Sequence, residues 1–501
     1  MPNYTKIAIK GASVLFIIGL VISFLSYLFR IILAKNLSVS DYGLVFAIIS
    51  FFGLFSLFKN LGIPSALAKF IAEHRTTENY TEIKKLMVVA ASILIPISLI
   101  LTILIYFSAD YLAVHYFHNA SASTLVKIYS LTFLLSAIMS VASSTFRGYQ
   151  RNLYFVLGEF IQTVTLLTVT YTLLYFSYGV FSPIIATVIA LFIEIIIFFP
   201  ILFKKVFPKY LSIKTKLSSD TFKKILLFGL PVILTGLSSK LFSYMDIVML
   251  TFFKGLYDVG LYSAALPTTK ILWRFGAALV VMLLPLTSEL WMKKEVKKIK
   301  DGLNYLYKYL YIISLPVIVI MLIFPNLILE YLFGKEYVVA SLALQILAVG
   351  SLFTIGAKIN FSMITGIGKP KFVAKTMLIG GLFNLVMNLI LIPLIGYLGA
   401  AIATTLSFLL MFIMSLIGIK KLITLKLDFN LLSKITFSGI VFGVLIFILK
   451  GLVNLQPLTE FAFVVIASGL IYLGLIFILN IVTVKEIKNI FKRMRSKQNK
   501  D

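Results

Sequence analysis

The sequence predicts an all-α polytopic membrane protein: about 14 transmembrane helices in two pseudo-symmetric six-helix bundles plus a C-terminal helix pair. Three observations predict it. Of the 501 residues 60% are hydrophobic and the mean hydropathy is +1.03, too apolar for a soluble globular chain. Apolar runs of about 20 residues recur along the whole length, long enough to cross about 30 Å of hydrocarbon, and they lack the alternation of a membrane-spanning barrel. The two halves also resemble each other in their loops.

Spans are predicted at about 11–33, 42–58, 86–107, 124–145, 153–176, 181–203, 225–250, 260–285, 304–324, 340–364, 372–394, 399–420, 434–453 and 459–482. The first run is longer than a signal-peptide core and lacks a small-x-small exit, so it is expected to be a retained span. The domain plan follows: an N-terminal lobe 1–203, a basic linker 204–224, a C-terminal lobe 225–420, an additional helix pair 421–482 and a basic tail 483–501.

Orientation is read from the basic residues. With 46 Lys and Arg against 19 Asp and Glu the net charge is +27, which in a soluble domain would suggest nucleic acid. Here the cations gather in alternate connections. Lys6 and Lys10, Lys69 to Lys85, Arg147 and Arg151, Lys204 to Lys224, Lys293 to Lys300, Lys369 and Lys371, Lys420 to Lys434 and the tail from Lys485 share one side. Lys59 is counted with them. The other side holds Arg30, Lys35, Lys254, Lys335 and Lys450. That bias places both termini in the cytoplasm of a multi-pass cell-membrane protein and accounts for most of the charge without nucleic acid. The chain has no cysteine and only 3 histidines, so disulfides and thiolate sites are excluded, and neither a metal centre nor a cofactor is expected.

The repeat is visible in four loops, at a spacing of about 217 residues. Gly43 in DYG answers Gly260 in DVG, Gly148 in GYQRNLYF answers Gly366 in GIGKPKF, Gly179 in GVFSPIIAT answers Gly396 in GYLGAAIAT, and Tyr116-Phe117 answers Leu332-Phe333. An even number of spans per half gives both halves the same orientation, about an axis along the membrane normal.

Polar stripes mark candidate site residues. Lys270 and Arg274 lie four apart on one helical face with Ser263, Pro267 and Ala277. In a span over 260–285 both sit about 10 to 14 residues deep, where a cation costs about 2.5 to 3.5 kcal/mol. Lys240 and Tyr244 share a face of the seventh span with Gly236 and Ser243, Lys358 lies with Ser351, Thr354 and Ser362 in the tenth, and Arg30 follows Tyr27, Ser23 and Ser26 in the first. The expected anion cavity is therefore Arg30, Lys240, Lys270, Arg274 and Lys358 with Tyr27 and Tyr244, suited to phosphate because guanidinium, ammonium and hydroxyl groups all donate to its oxygens. Glu159 and Glu194 are candidates for ion coupling. The alternatives are that Arg30 and Lys358 snorkel, that the cations are neutralised by Glu159, Glu194 or Asp246, and that serine and threonine stripes only let helices pack closely.

The stretch RIILAKNLSVSDYGLVFAIISFFGLFSLFKNLGIPSALAKFIAE, Arg30 to Glu73, resembles the opening of the polysaccharide-repeat (O-antigen type) flippases, and GIGKPKFV and GYLGAAIATTLSF resemble their second half. That family belongs to the multidrug/oligosaccharidyl-lipid/polysaccharide exporter superfamily. The resemblance implies a non-enzymatic transporter that flips an anionic lipid-linked oligosaccharide, a polysaccharide repeat unit, from the cytoplasmic to the outer leaflet by alternating access. Its expected partners are that substrate and membrane lipids, and a monomer is expected. The final helix pair is similar to that of the lipid II flippases. The competing readings are a cation-coupled multidrug exporter, which calls for acids in the first lobe, a polyprenol-dependent glycosyltransferase or polymerase, which calls for carboxylates on a sizeable outer loop, and a scaffold, which leaves the central cations unexplained.

Overall fold

The computed structural model describes the backbone of residues 4–216, 218–423, 428–453, 455–483 and 486, and within these it leaves the side chains of 4–13, 234–235, 273–282 and 429 undescribed. Its helices are α1 (Tyr4–Asn36), α2 (Val39–Asn60), α3 (Ile63–Thr76), α4 (Tyr80–His115), α5 (Ala122–Gly148), α6 (Asn152–Tyr175), α7 (Phe181–Ile201), α8 (Ser219–Phe253), α9 (Leu256–Met292), α10 (Val296–Ile323), α11 (Pro325–Leu332), α12 (Ser341–Gly366), α13 (Pro370–Leu422), α14 (Phe429–Leu452) and α15 (Pro457–Ile478). Among the described residues 11 helices are long and apolar enough to cross a membrane, or 12 if the bent pair within α8 is one span.

Every predicted span has a helix beneath it. Two of the predicted spans, 372–394 and 399–420, fall in the 53 residues of α13. Such a helix would be about 80 Å long if straight, far beyond the hydrocarbon thickness, so it must turn back. It does so at Ile395 and Gly396, which leave helical geometry, with Gly396 at φ 59°. The turn needs a glycine there because a β-carbon would also collide with the Asp258 carboxylate. Gly179, the matching glycine of the first half, likewise has positive φ, 52°.

Two short helices were not anticipated. α3 forms because Leu61 and Gly62 take left-handed backbone angles, φ 44° and 68°, which end α2 and start a new helix with Pro64 in its first turn. Gly62 tolerates this bend and also lies against the Gly229 carbonyl, which leaves no room for a side chain. The corresponding stretch of the second half runs on as continuous helix within α9. α11 is an 8-residue piece following α10, opened by Pro325.

The chain forms two compact units, Met1–Ala264 with Gly381–Ala400, and Ala265–Gly380 with Ala401–Asp501. In the first, α4 packs on α5, α5 and α6 on α7, α1 on α6, and α2 on α8. Its core joins Phe70, Ile71, Leu86, Leu94, Phe146 and Phe198. In the second, α10 packs on α12 and α14, and α14 on α15. One core there runs through Leu303, Tyr307, Ile355 and Met363, and another ties the final helix pair to α10 through Phe324, Phe442, Ile446 and Tyr472.

Candidate functional site

Within the first unit, α1, α2, α8 and the start of α9 bring together four of the site residues expected from sequence: Tyr27, Arg30, Lys240 and Tyr244. Arg30 is half-buried near the C-terminal end of α1, with its guanidinium carbon 4.0 Å from the centre of the Phe46 ring and Nη1 donating to the Ser263 carbonyl at 3.3 Å. The Tyr42 hydroxyl donates to the same carbonyl at 3.2 Å. Arg30 is thus held by protein groups, and the ring contact contributes about 1 to 2 kcal/mol. Tyr27 and Arg30 both lie within electrostatic reach of Tyr42, and Arg30 within reach of Tyr244.

Lys240 stands four residues before Tyr244 on α8, and its Nζ lies 5.3 Å from the centre of that ring. The ring occupies the space opposite Gly53, where any β-carbon would overlap it. So Gly53 on α2 opens the recess that Tyr244 fills.

Lys59 is the member of this cluster that the sequence reading assigned to a loop. α2 extends to Asn60, which carries Lys59 inside; it is 5% exposed and its Nζ donates to Ser136 Oγ of α5 at 2.6 Å, with Phe133 nearby. Lys240 is close enough to act on it electrostatically. The signal that could have found it is the serine stripe of α5, where Ser136 and Ser140 lie four apart on one face. Among the described residues Arg30, Lys59 and Lys240 make no ion pair. Burying such cations costs several kcal/mol unless something else compensates them.

Asp246 of α8 is 4% exposed and is held by the Tyr262 hydroxyl and by Asn388 Nδ2, the latter at 2.7 Å. Glu194 of α7 is buried against Gly158 of α6, within electrostatic reach of Glu159, which in turn faces Arg147. The two glutamates that are candidates for ion coupling are therefore neighbours.

Lys270 and Lys358 belong to the second unit, both partly buried. The stripe companions of Lys358, Ser351 and Thr354, return their hydroxyls to the carbonyls of Leu347 and Gly350 in their own helix, as packing serines and threonines do. Arg274 lies outside the residues whose side chains are described.

Comparison with known proteins bears on this arrangement. Residues 8–291 match the family model described as polysaccharide biosynthesis protein, and residues 231–390 match the MatE family model. An uncharacterized membrane protein of Methanocaldococcus jannaschii is 29% identical over 98% of this chain and 99% of its own length. A probable low-salt glycan biosynthesis flippase of Haloferax volcanii is 24% identical over 52% of this chain and 56% of its own. The lipid II flippase of Bacillus subtilis is 22% identical over 73% and 74%. Among solved structures, a lipid II flippase in an inward closed conformation superposes with a TM-score of 0.76 at 18% identity, over 92% of this chain and 97% of that one. An inward-facing multidrug resistance transporter gives 0.65 at 18% identity, over 80% and 94%.

Proposed function

We propose that this chain, which belongs to the polysaccharide biosynthesis protein family, is a flippase that carries an anionic lipid-linked oligosaccharide from the cytoplasmic to the outer leaflet of the cell membrane. The observation that carries the reading is the cluster of Arg30, Lys59 and Lys240 with Tyr27, Tyr42 and Tyr244, one buried and two half-buried cations among hydroxyls and rings, without an ion pair among the described residues. Such a cluster lacks a negative charge, and a phosphate or pyrophosphate supplies one. A membrane potential negative inside favours outward movement of that charge by about 2.3 kcal/mol per elementary charge at about 100 mV.

In this reading Lys270, Arg274 and Lys358 also act on the anionic substrate, and Glu159 and Glu194 couple transport to an ion. The lobes 1–203 and 225–420 move against each other to alternate access, with 421–482 as an accessory pair, and both termini are cytoplasmic. Names of relatives support the direction of the argument: a glycan biosynthesis flippase and a lipid II flippase are among them. A multidrug exporter is the competing reading, supported by the MatE match, but the cations of the cluster would repel cationic drugs.

The test is reconstitution in liposomes with a pyrophosphate-linked polyprenyl oligosaccharide and a membrane-impermeant probe of the exposed sugar. The expected result is protein-dependent exposure of the inner pool. Exposure no faster than in protein-free liposomes overturns the proposal.

A further inference from the structure

A second polar recess lies on the face that the basic residues assign to the cytoplasm. It is a cavity of about 310 Å³ bordered by Arg75, Tyr149, Gln150, Arg151 and Val206. Its walls follow from local structure. α5 ends at Gly148, whose missing side chain lets the chain press against Ile71 and the Ala68 carbonyl of α3. That approach brings Arg75 near the end of α3 to the α5–α6 turn, where Nη1 donates to the Tyr149 carbonyl at 2.6 Å. The turn is tight: Gln150 takes φ 58°, and the Arg151 N–H returns to the Phe146 carbonyl at 2.8 Å.

The opposite wall comes from the end of α7. There Leu202–Val206 winds as a π-helical turn, the kind of irregularity that often accompanies a functional site. Phe207 then packs its ring 5.9 Å from Tyr149 and 6.2 Å from Tyr80. Lys84 fastens the following segment by donating to the Tyr210 and Ile213 carbonyls, both at 2.6 Å. The recess is therefore framed by three anchored elements.

Two guanidinium groups border this recess, and no carboxylate does. Among the described residues neither Arg75 nor Arg151 forms an ion pair, and the Tyr149 hydroxyl is buried without a hydrogen-bond partner. The repeat supplies a contrast. At a spacing of about 218 residues Arg75 and Arg151 are answered by Lys293 and Lys369, but there Lys293 is neutralised by Glu289. At the first of these two positions, the second half pairs the charge that the first half leaves without an ion pair among the described residues.

We propose that this recess binds a phosphate group, supplied either by an anionic lipid head group or by a free phosphate or diphosphate. Guanidinium forks match phosphate oxygens in pairs, and the amide of Gln150 adds neutral donors. The site is separate from the Arg30 cluster, and its occupancy can be read without any measurement of flipping.

The experiment uses the full chain in nanodiscs of zwitterionic phosphatidylcholine. One arm titrates inorganic pyrophosphate by calorimetry. The other adds phosphatidic acid to the discs and counts retained lipid by native mass spectrometry. The expected result is binding in at least one arm, weakened about tenfold or more by Arg151→Gln, partly restored by Arg151→Lys and unchanged by Lys204→Gln, a cation outside the lining. Binding in the pyrophosphate arm identifies a free phosphate ligand, and binding in the lipid arm alone identifies a head group. Absence of binding in both arms, or wild-type binding by both Arg151→Gln and Arg75→Lys, overturns the proposal.

Discussion

Gly43 and Gly260, repeat mates about 217 residues apart, sit against each other's helices in a reciprocal contact. A β-carbon on Gly43 would collide with the Leu256 carbonyl and approach the Gly260 nitrogen to 2.9 Å, and one on Gly260 would collide with the Val39 carbonyl. Val39 and Leu256 are themselves repeat mates, so one contact is made twice, as at a two-fold interface. Phe46 and Ser263 are the next pair of mates along, and Arg30 bridges them, ring on one side and carbonyl on the other.

Because the obstacles at this crossing are backbone atoms, they cannot rotate away. Gly43→Val and Gly260→Val are expected to cost about 1 to 3 kcal/mol or more each, and by similar amounts because the two positions are equivalent. Thermal unfolding in detergent checks this. Equal stability of either variant and wild type would refute the close crossing.

Lys59 separates stability from function. A buried cation held by one serine hydroxyl is a poor contributor to folding, so Lys59→Met is expected to leave the melting temperature equal or raised. If the charge serves the substrate, the same variant slows flipping by about tenfold or more. A variant both unstable and fully active would show the opposite arrangement.

The C-terminal segment carries a pH-sensitive clamp. Glu486 receives Lys308 Nζ at 2.9 and 3.1 Å and the Thr483 N–H at 3.1 Å. Burial alone would raise its carboxyl, but the hydrogen bonds from Lys308 and Thr483 outweigh it and hold it below the usual glutamate range. A carboxyl depressed in the folded state stabilises above its unfolded pKa of about 4.3 and loses that contribution as pH falls through the folded value. Glu486→Gln is thus expected to melt a few degrees below wild type at neutral pH and to match it near pH 3. A difference that persists in acid would assign the effect to packing.

Glu194 and Glu159 carry the ion-coupling proposal. Glu194→Gln keeps the shape against Gly158 and removes one charge, so it is expected to abolish the dependence of flipping on a proton or sodium gradient while substrate binding persists. Unchanged gradient dependence in Glu194→Gln and Glu159→Gln together would remove both from the mechanism.

The spans were legible because an apolar run of the right length has few alternatives, and the repeat because Gly43, Gly260, Gly179 and Gly396 each occupy a position where backbone approach or positive φ excludes a side chain. What escaped were features set by tertiary contact. The break at Leu61 and Gly62 depends on the approach of Gly229, a residue far away in sequence. Lys59 reads as a loop cation until α2 is seen to continue past it and Ser136 to receive it. Asp246 receives hydrogen bonds from Tyr262 and Asn388, neither of which periodicity could pair with it. Tyr27, Arg30, Lys240 and Tyr244 were legible because a polar stripe on an apolar helix is expensive and so stands out.

The most direct test of the account compares passengers. In one liposome preparation, flipping of a pyrophosphate-linked oligosaccharide is measured beside that of a neutral glycolipid bearing the same sugar, for wild type and for the Arg30→Gln, Lys240→Gln double variant. The account predicts that wild type moves the charged lipid at least about tenfold faster and that the double variant loses this preference. Equal rates for the two lipids in wild type, or an unaltered preference in the double variant, would contradict it.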